Sequence, residues 1–181
     1  MNCFSAFIST DPDPLVYSFT PEIEHVTLIA AVRLEMASDW ARLRRAAMRI
    51  GSPVVQLANI EGDGISDCRP LVLNDYSSFD RAWNSIDYVF GDPDYAWLAT
   101  VSGEGPALIG STKQDAIASV VREWGDARSN AIDLLDAWQG PGPRPSTLWI
   151  QPLLERVLGK RLAAELLLAH GTWLQDKGPT R

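Results

Sequence analysis

Few side chains in this sequence are equipped for chemistry: Cys3 and Cys68, His25 and His170, and carboxylates spread along 181 residues. A thiolate nucleophile needs a base beside it and a third group to orient that base, so Cys68 with His170 and an aspartate is the arrangement to look for. No GxSxG elbow and no cysteine-centred signature surrounds Cys68, and sequence alone does not bring it to His170. Neither histidine stands in an HxxxH arrangement and no CxxC occurs, which leaves zinc without a ligand set. In EGDGISD, Glu61, Asp63 and Asp67 alternate with small residues as a cation loop would. The calcium pattern needs further oxygens and a terminal bidentate glutamate, so this stretch reads as a turn. SGEGPALIG, Ser102 to Gly110, lacks both the P-loop Lys-Ser/Thr and GxGxxG, and reads as a loop between elements. Asp133 and Asp136 share a helical face, which is ordinarily a solvated face. The chain is expected to be no enzyme, with no cofactor and no metal.

Residues suited to binding are better represented. The chain has seven tryptophans, and Trp is enriched at interaction hot spots because it buries a large area at small entropic cost. Trp40 and Trp83 fall on apolar helical stripes and Trp97 in a strand, so these three read as core. Trp124, Trp138, Trp149 and Trp173 flank caps, breaks or the terminus, where amphipathic rings often line grooves. WGDAR sets Trp124, Asp126 and Arg128 within five residues. On the plain account Asp126 caps a helix, Trp124 packs from the helix before it, and Arg128 is exposed in the first turn. On the second account the same cap orients a partner-binding surface to which Trp124, Asp126, Arg128, Trp138 and Trp149 contribute.

The elements that hold these residues follow from periodicity and punctuation. Residues 1–22 contain Pro12, Pro14 and Pro21 and read as an extended lead-in. HVTLIAAV is a continuous apolar run, as expected of a central strand covered on both faces. Ser38 can cap an amphipathic helix with Trp40, Leu43, Ala47 and Ile50 inward, Arg42, Arg45 and Arg49 outward, and Gly51 closing it. VVQLA and RPLVLN form a hairpin. From Ser77 or Ser78, the positions Phe79, Trp83, Ile86 and Phe90 predict a helix ending at Gly91, followed by the strand YAWLATV. Ser111 or Thr112 caps the next helix and Asp126 another, GPGPRP is a stiff turn, and two short helices divide at Gly159. The fold class is α/β: a mixed α/β lobe over 23–103 packed on a mainly helical lobe over 104–181, after the lead-in 1–22.

Bulk properties narrow the partners. Hydrophobic residues make up 46% of the chain, enough for a core without disulfides, and no disulfide framework is expected from two cysteines. The net charge of −7 repels nucleic acid, yet five arginines lie between Arg33 and Arg49 and give a local basic face that can meet an acidic partner. MNCFSAFISTDPDPL lacks the basic and then apolar layout of a secretory signal, and no apolar run approaches the roughly 20 residues of a membrane span. A soluble, cytoplasmic protein is expected, binding neither nucleic acid nor membrane.

Across residues 26 to 174 the sequence resembles a family of type VI secretion effector chaperones or adaptors, encoded beside VgrG spike proteins. That family begins with an apolar strand, has a P-x-L-V-x-L strand after an amphipathic helix, and carries an aromatic-x-Asp-Pro-Arg motif before its C-terminal helices. LIAAV looks like the first strand, RPLVLN like the second landmark and AWLAT like a following strand. Trp124-Gly125-Asp126-Ala127-Arg128 looks like the motif, with Ala in place of Pro. The resemblance implies a non-enzymatic adaptor that binds a toxin effector and aids its loading on a secretion spike. Acidity and tryptophan content fit a second reading, a cytoplasmic immunity protein that blocks a basic toxin by charge complementarity.

Overall fold

The computed structural model describes residues 4, 8–9, 18–30, 36–61, 64–65, 68–77, 87–94, 96–102, 106–138 and 149–170. Its strands are β1 (Ile8–Ser9), β2 (Ser18–Phe19), β3 (His25–Ile29), β4 (Val54–Glu61), β5 (Gly64–Ile65), β6 (Arg69–Val72), β7 (Tyr88–Gly91), β8 (Trp97–Val101) and β9 (Ala107–Ser111). The helices are α1 (Ala37–Arg49), α2 (Gln114–Trp124), α3 (Ala127–Trp138), α4 (Ile150–Leu158) and α5 (Lys160–Ala169). β1 pairs with β2, and the other strands form one antiparallel sheet in the order β3, β9, β8, β7, β4, with β5 and β6 both paired to β4.

Alternation along the strands explains why helices cover both faces of this sheet. Leu28, Ala58, Ile60, Val89, Leu98 and Leu108 point to one side, where they meet Phe4, Phe19, Ile23, α3, α4 and α5. Ile29, Val55, Leu57, Tyr88, Phe90, Trp97, Ala99 and Ile109 point to the other, under α1 and α2. Each set occupies every second position, as a pleated strand buried on both faces requires. Mixed α/β architecture is therefore as expected.

Several details are corrected. The expected boundary near Gly103 does not divide the sheet: β9, read from sequence as part of a loop, lies between β3 and β8. Its glycine has a packing reason, because a Cβ on Gly110 would stand 2.5 Å from Ile23 and 2.7 Å from Phe19. β3 is buried on its inner residues but among the described residues pairs only with β9, which makes it an edge of the described sheet and not a central strand. Tyr76 and Ser77 are helical, the rest of the expected helix up to 86 lies outside the described residues, and Phe90 and Gly91 belong to β7. There the Tyr-Val-Phe run, paired to β4 on one side and β8 on the other, outweighs the helical spacing. The α1 cap position is Met36 and makes no side-chain bond, and α2 begins after Lys113, whose N–H donates to Ser111 Oγ at 2.8 Å. The hairpin of β4 with β6 and the break at Gly159 between α4 and α5 are as the sequence suggested.

The reading of the cysteines is also corrected: Cys68, just before β6, is disulfide-bonded. Phe4 and Ile8 are buried in one cluster with Phe19 and Ile23, so these residues of the expected lead-in belong to the core.

Candidate functional site

The turn between α2 and α3 is built by three residues. Gly125 closes α2 with φ +85°, a backbone conformation that side chains disfavour, and its N–H donates to Val121 O at 2.9 Å. Asp126 accepts the Ser129 N–H at 2.9 Å, the bond expected of an N-cap residue on the third helical amide. That bond is the first cause holding the Asp126 carboxyl below its ordinary value, and the Arg128 charge is the weakest. Asn130 is the residue that sequence reading missed. Its side chain is buried; Nδ2 donates to the carbonyls of Trp124, Gly125 and Asp126 at 3.0, 3.4 and 3.0 Å, and Oδ1 accepts the Ala30 N–H at 3.1 Å. One amide thereby fastens the turn to the end of β3. Nothing in the local sequence distinguishes it from a solvated asparagine, because its partners are backbone groups up to 100 residues away.

The five expected binding residues separate on this frame. Trp124 is half-buried and packs against the core under α1 and α2, and its Nε1 is buried with no hydrogen-bond partner among the described residues. Asp126 is exposed with its carboxylate committed to the cap. Arg128 is exposed, its backbone N–H and its charge both acting on the Asp126 carboxylate. Trp149 is corrected: at 5% exposure it belongs to the core beside α4, where it cannot contribute to an accessible surface. The Trp138 side chain lies outside the described residues.

One residue before this turn stands a second polar cluster. Glu123, its side chain 7% exposed, accepts Arg45 Nε and Nη2 at 2.9 and 2.7 Å through one oxygen and meets Arg49 Nη2 at 2.5 Å through the other. Arg49 Nη1 also donates to Ser119 O at 3.4 Å. The Arg45 bond is the leading cause that lowers the Glu123 carboxyl below its ordinary value, against the effect of burial. Arg45 and Arg49 are four apart on α1, so their shared face was legible in sequence, whereas Glu123 as their partner was not. Arg42 pairs with Asp39 at 3.6 Å. Arg44 is exposed, and no described residue pairs with it. Beside it opens a groove of about 400 Å³ whose described lining is Ala41, Arg44, Arg45, Met48 and Arg49.

The groups considered for catalysis are otherwise engaged. Cys68 is disulfide-bonded and holds no thiolate. His170, at the end of α5, has Nε2 3.4 Å from Asp136 and Nδ1 2.8 Å from Leu166 O. Ser52 Oγ donates to Asp92 at 2.5 Å and accepts Trp97 Nε1 at 3.2 Å, while Asp92 also accepts the Asp94 N–H at 3.0 Å, a network that closes the β7–β8 turn. Among the described residues no three His, Cys, Asp or Glu side chains converge as metal ligands, and no helix is long and apolar enough to cross a membrane. Most of EGDGISD, including Asp63 and Asp67, lies outside the described residues. Compared with known proteins, the chain matches no protein-family model, no curated protein and no solved structure.

Proposed function

We propose that this chain is a non-enzymatic adaptor that binds a secreted toxin effector and aids its loading on a type VI secretion spike. The observation that carries the reading is the position of Glu123. It holds Arg45 and Arg49 of α1 while these side chains stay 54% and 36% exposed, so the arginine-rich face of α1 is fixed in place and still open to a partner. Arginines with free donors on such a surface suit recognition of another protein. The resemblance over residues 26 to 174 supplies the nature of that protein. No cofactor, metal, nucleic acid or membrane is part of the proposal.

The test is calorimetry between this chain and the toxin encoded beside it, followed by capture on the spike protein. Saturable binding with the toxin's activity intact supports the adaptor. Stoichiometric loss of toxin activity supports the second reading, an immunity protein, which the acidic net charge favours through complementarity to a basic toxin. No binding to either protein overturns both.

We place the chain in the cytoplasm, where an adaptor meets its cargo before secretion. The bonded Cys68 makes that placement testable, because disulfides persist in oxidising compartments and are rare in reducing ones. Alkylation in intact cells tests the placement: a Cys68 protected from the reagent keeps the bond seen in the structure and moves the chain, and its encounter with the toxin, outside the cytoplasm, whereas an alkylated Cys68 keeps the chain in the cytoplasm with that bond reduced.

A further inference from the structure

We propose that the groove on the outer face of α1 binds an acidic segment of a partner protein, with a carboxylate on Arg44 and a neighbouring apolar side chain against Met48 and Ala41. Every charged residue among its described lining is an arginine. The chain as a whole carries −7, so this helix, with four arginines against Asp39, is a local reversal of the molecular charge. Guanidinium presents five N–H donors in a fixed fork and no acceptor, which selects planar anions.

Glu123 shows what this face takes. A carboxylate from α2 already sits on Arg45 and Arg49, each oxygen bound to a guanidinium. Those two side chains remain 54% and 36% exposed while paired, so they present further donors toward the groove. Arg44, on the adjacent stripe of α1, has no carboxylate among the described residues. Met48 is 51% exposed, an apolar contact that a polyphosphate would not use and that a leucine or phenylalanine beside an acid would. A volume of about 400 Å³ accommodates one or two side chains of an extended or helical segment. A nucleic acid is disfavoured by the net charge and by the methionine.

The inference rests on the adaptor reading only in that a partner exists, and its test uses a probe independent of that partner. A fluorescein-labelled peptide of alternating glutamate and leucine is titrated by anisotropy, at low and raised ionic strength, beside a labelled single-stranded oligonucleotide of equal charge. Wild-type protein is expected to bind the peptide saturably and the oligonucleotide more weakly. Arg44→Glu is expected to weaken the peptide about tenfold with an unchanged melting temperature, since the side chain is exposed. Met48→Ser is expected to weaken it by a smaller factor that salt does not alter, whereas the charge contribution falls as salt rises. Absence of saturable peptide binding, equal affinity in Arg44→Glu, or an oligonucleotide bound as tightly as the peptide each overturns the proposal. Capture of the neighbouring toxin equally by wild type and Arg44→Glu would reject the groove and leave the adaptor reading standing. Failure of wild type to capture it, with peptide binding intact, would do the reverse.

Discussion

The α2–α3 turn and the outer face of α1 are both rich in residues typical of interfaces, yet they use them in opposite ways. In the turn, most polar groups are consumed internally: Asp126 caps α3, Asn130 holds three carbonyls and one amide, and Trp124 packs inward, which leaves the Arg128 side chain exposed. On α1 the inner stripe is tied to α2 through Glu123, but Arg44 and Met48 face outward. Residue type therefore does not separate a joint from a binding face. Hydrogen-bonding capacity left over after folding does, because a satisfied group offers a partner nothing new.

Breaking the joint should cost stability in graded amounts. Asn130→Ala is expected to have the largest effect, about 2 to 3 kcal/mol by denaturant titration, since it removes four part-buried bonds and leaves backbone groups of the turn and of Ala30 without that partner. Asn130→Asp would keep the acceptor for Ala30 and set a carboxylate against three carbonyls, so it should rescue nothing. Gly125→Ala should cost about 1 to 3 kcal/mol through backbone strain alone, because the nearest atom to the added Cβ is 3.9 Å away. Asp126→Ala should remove about 1 kcal/mol with the cap.

Glu123 sharpens the comparison because it belongs to both regions. Its carboxyl is held below the ordinary 4.5, chiefly by Arg45. A depressed carboxyl contributes stability that is complete above its unfolded value and lost as pH falls through its folded value. Glu123→Gln should therefore cost about 1 kcal/mol near neutrality, discounted for two half-exposed arginines, and converge with wild type as pH drops below 4.5. Convergence at higher pH would mean that another group carries the dependence. The smallest effect belongs to Arg128→Ala, expected to shift stability by less than about 0.5 kcal/mol because the side chain is exposed and its charge is the weakest of the influences on Asp126.

Much of the sheet was legible in the sequence because strand alternation is a local property. VVQLA, RPLVLN and AWLAT each became strands, and Asp126 and Gly159 punctuated helices where expected. What escaped was set by distant chain. SGEGPALIG looked like loop because of its glycines, and Phe19 and Ile23 lying across Gly110 explain the last of them. Trp149 sits beside the proline-rich turn in sequence, but α4 carries it into the core. Of the candidate site, the arginine stripe could be read from i, i+4 spacing, whereas Asn130 and Glu123 owe their roles to partners 100 and 78 residues away.

The division of labour between joint and binding face is tested most directly by two-dimensional amide NMR during titration with the acidic peptide. Shift changes are expected to cluster on residues 41–49 of α1, with those of 124–130 unchanged beyond the contact at Glu123. Changes concentrated on Trp124, Arg128 and their neighbours, with α1 silent, would contradict the account and make the turn the binding surface.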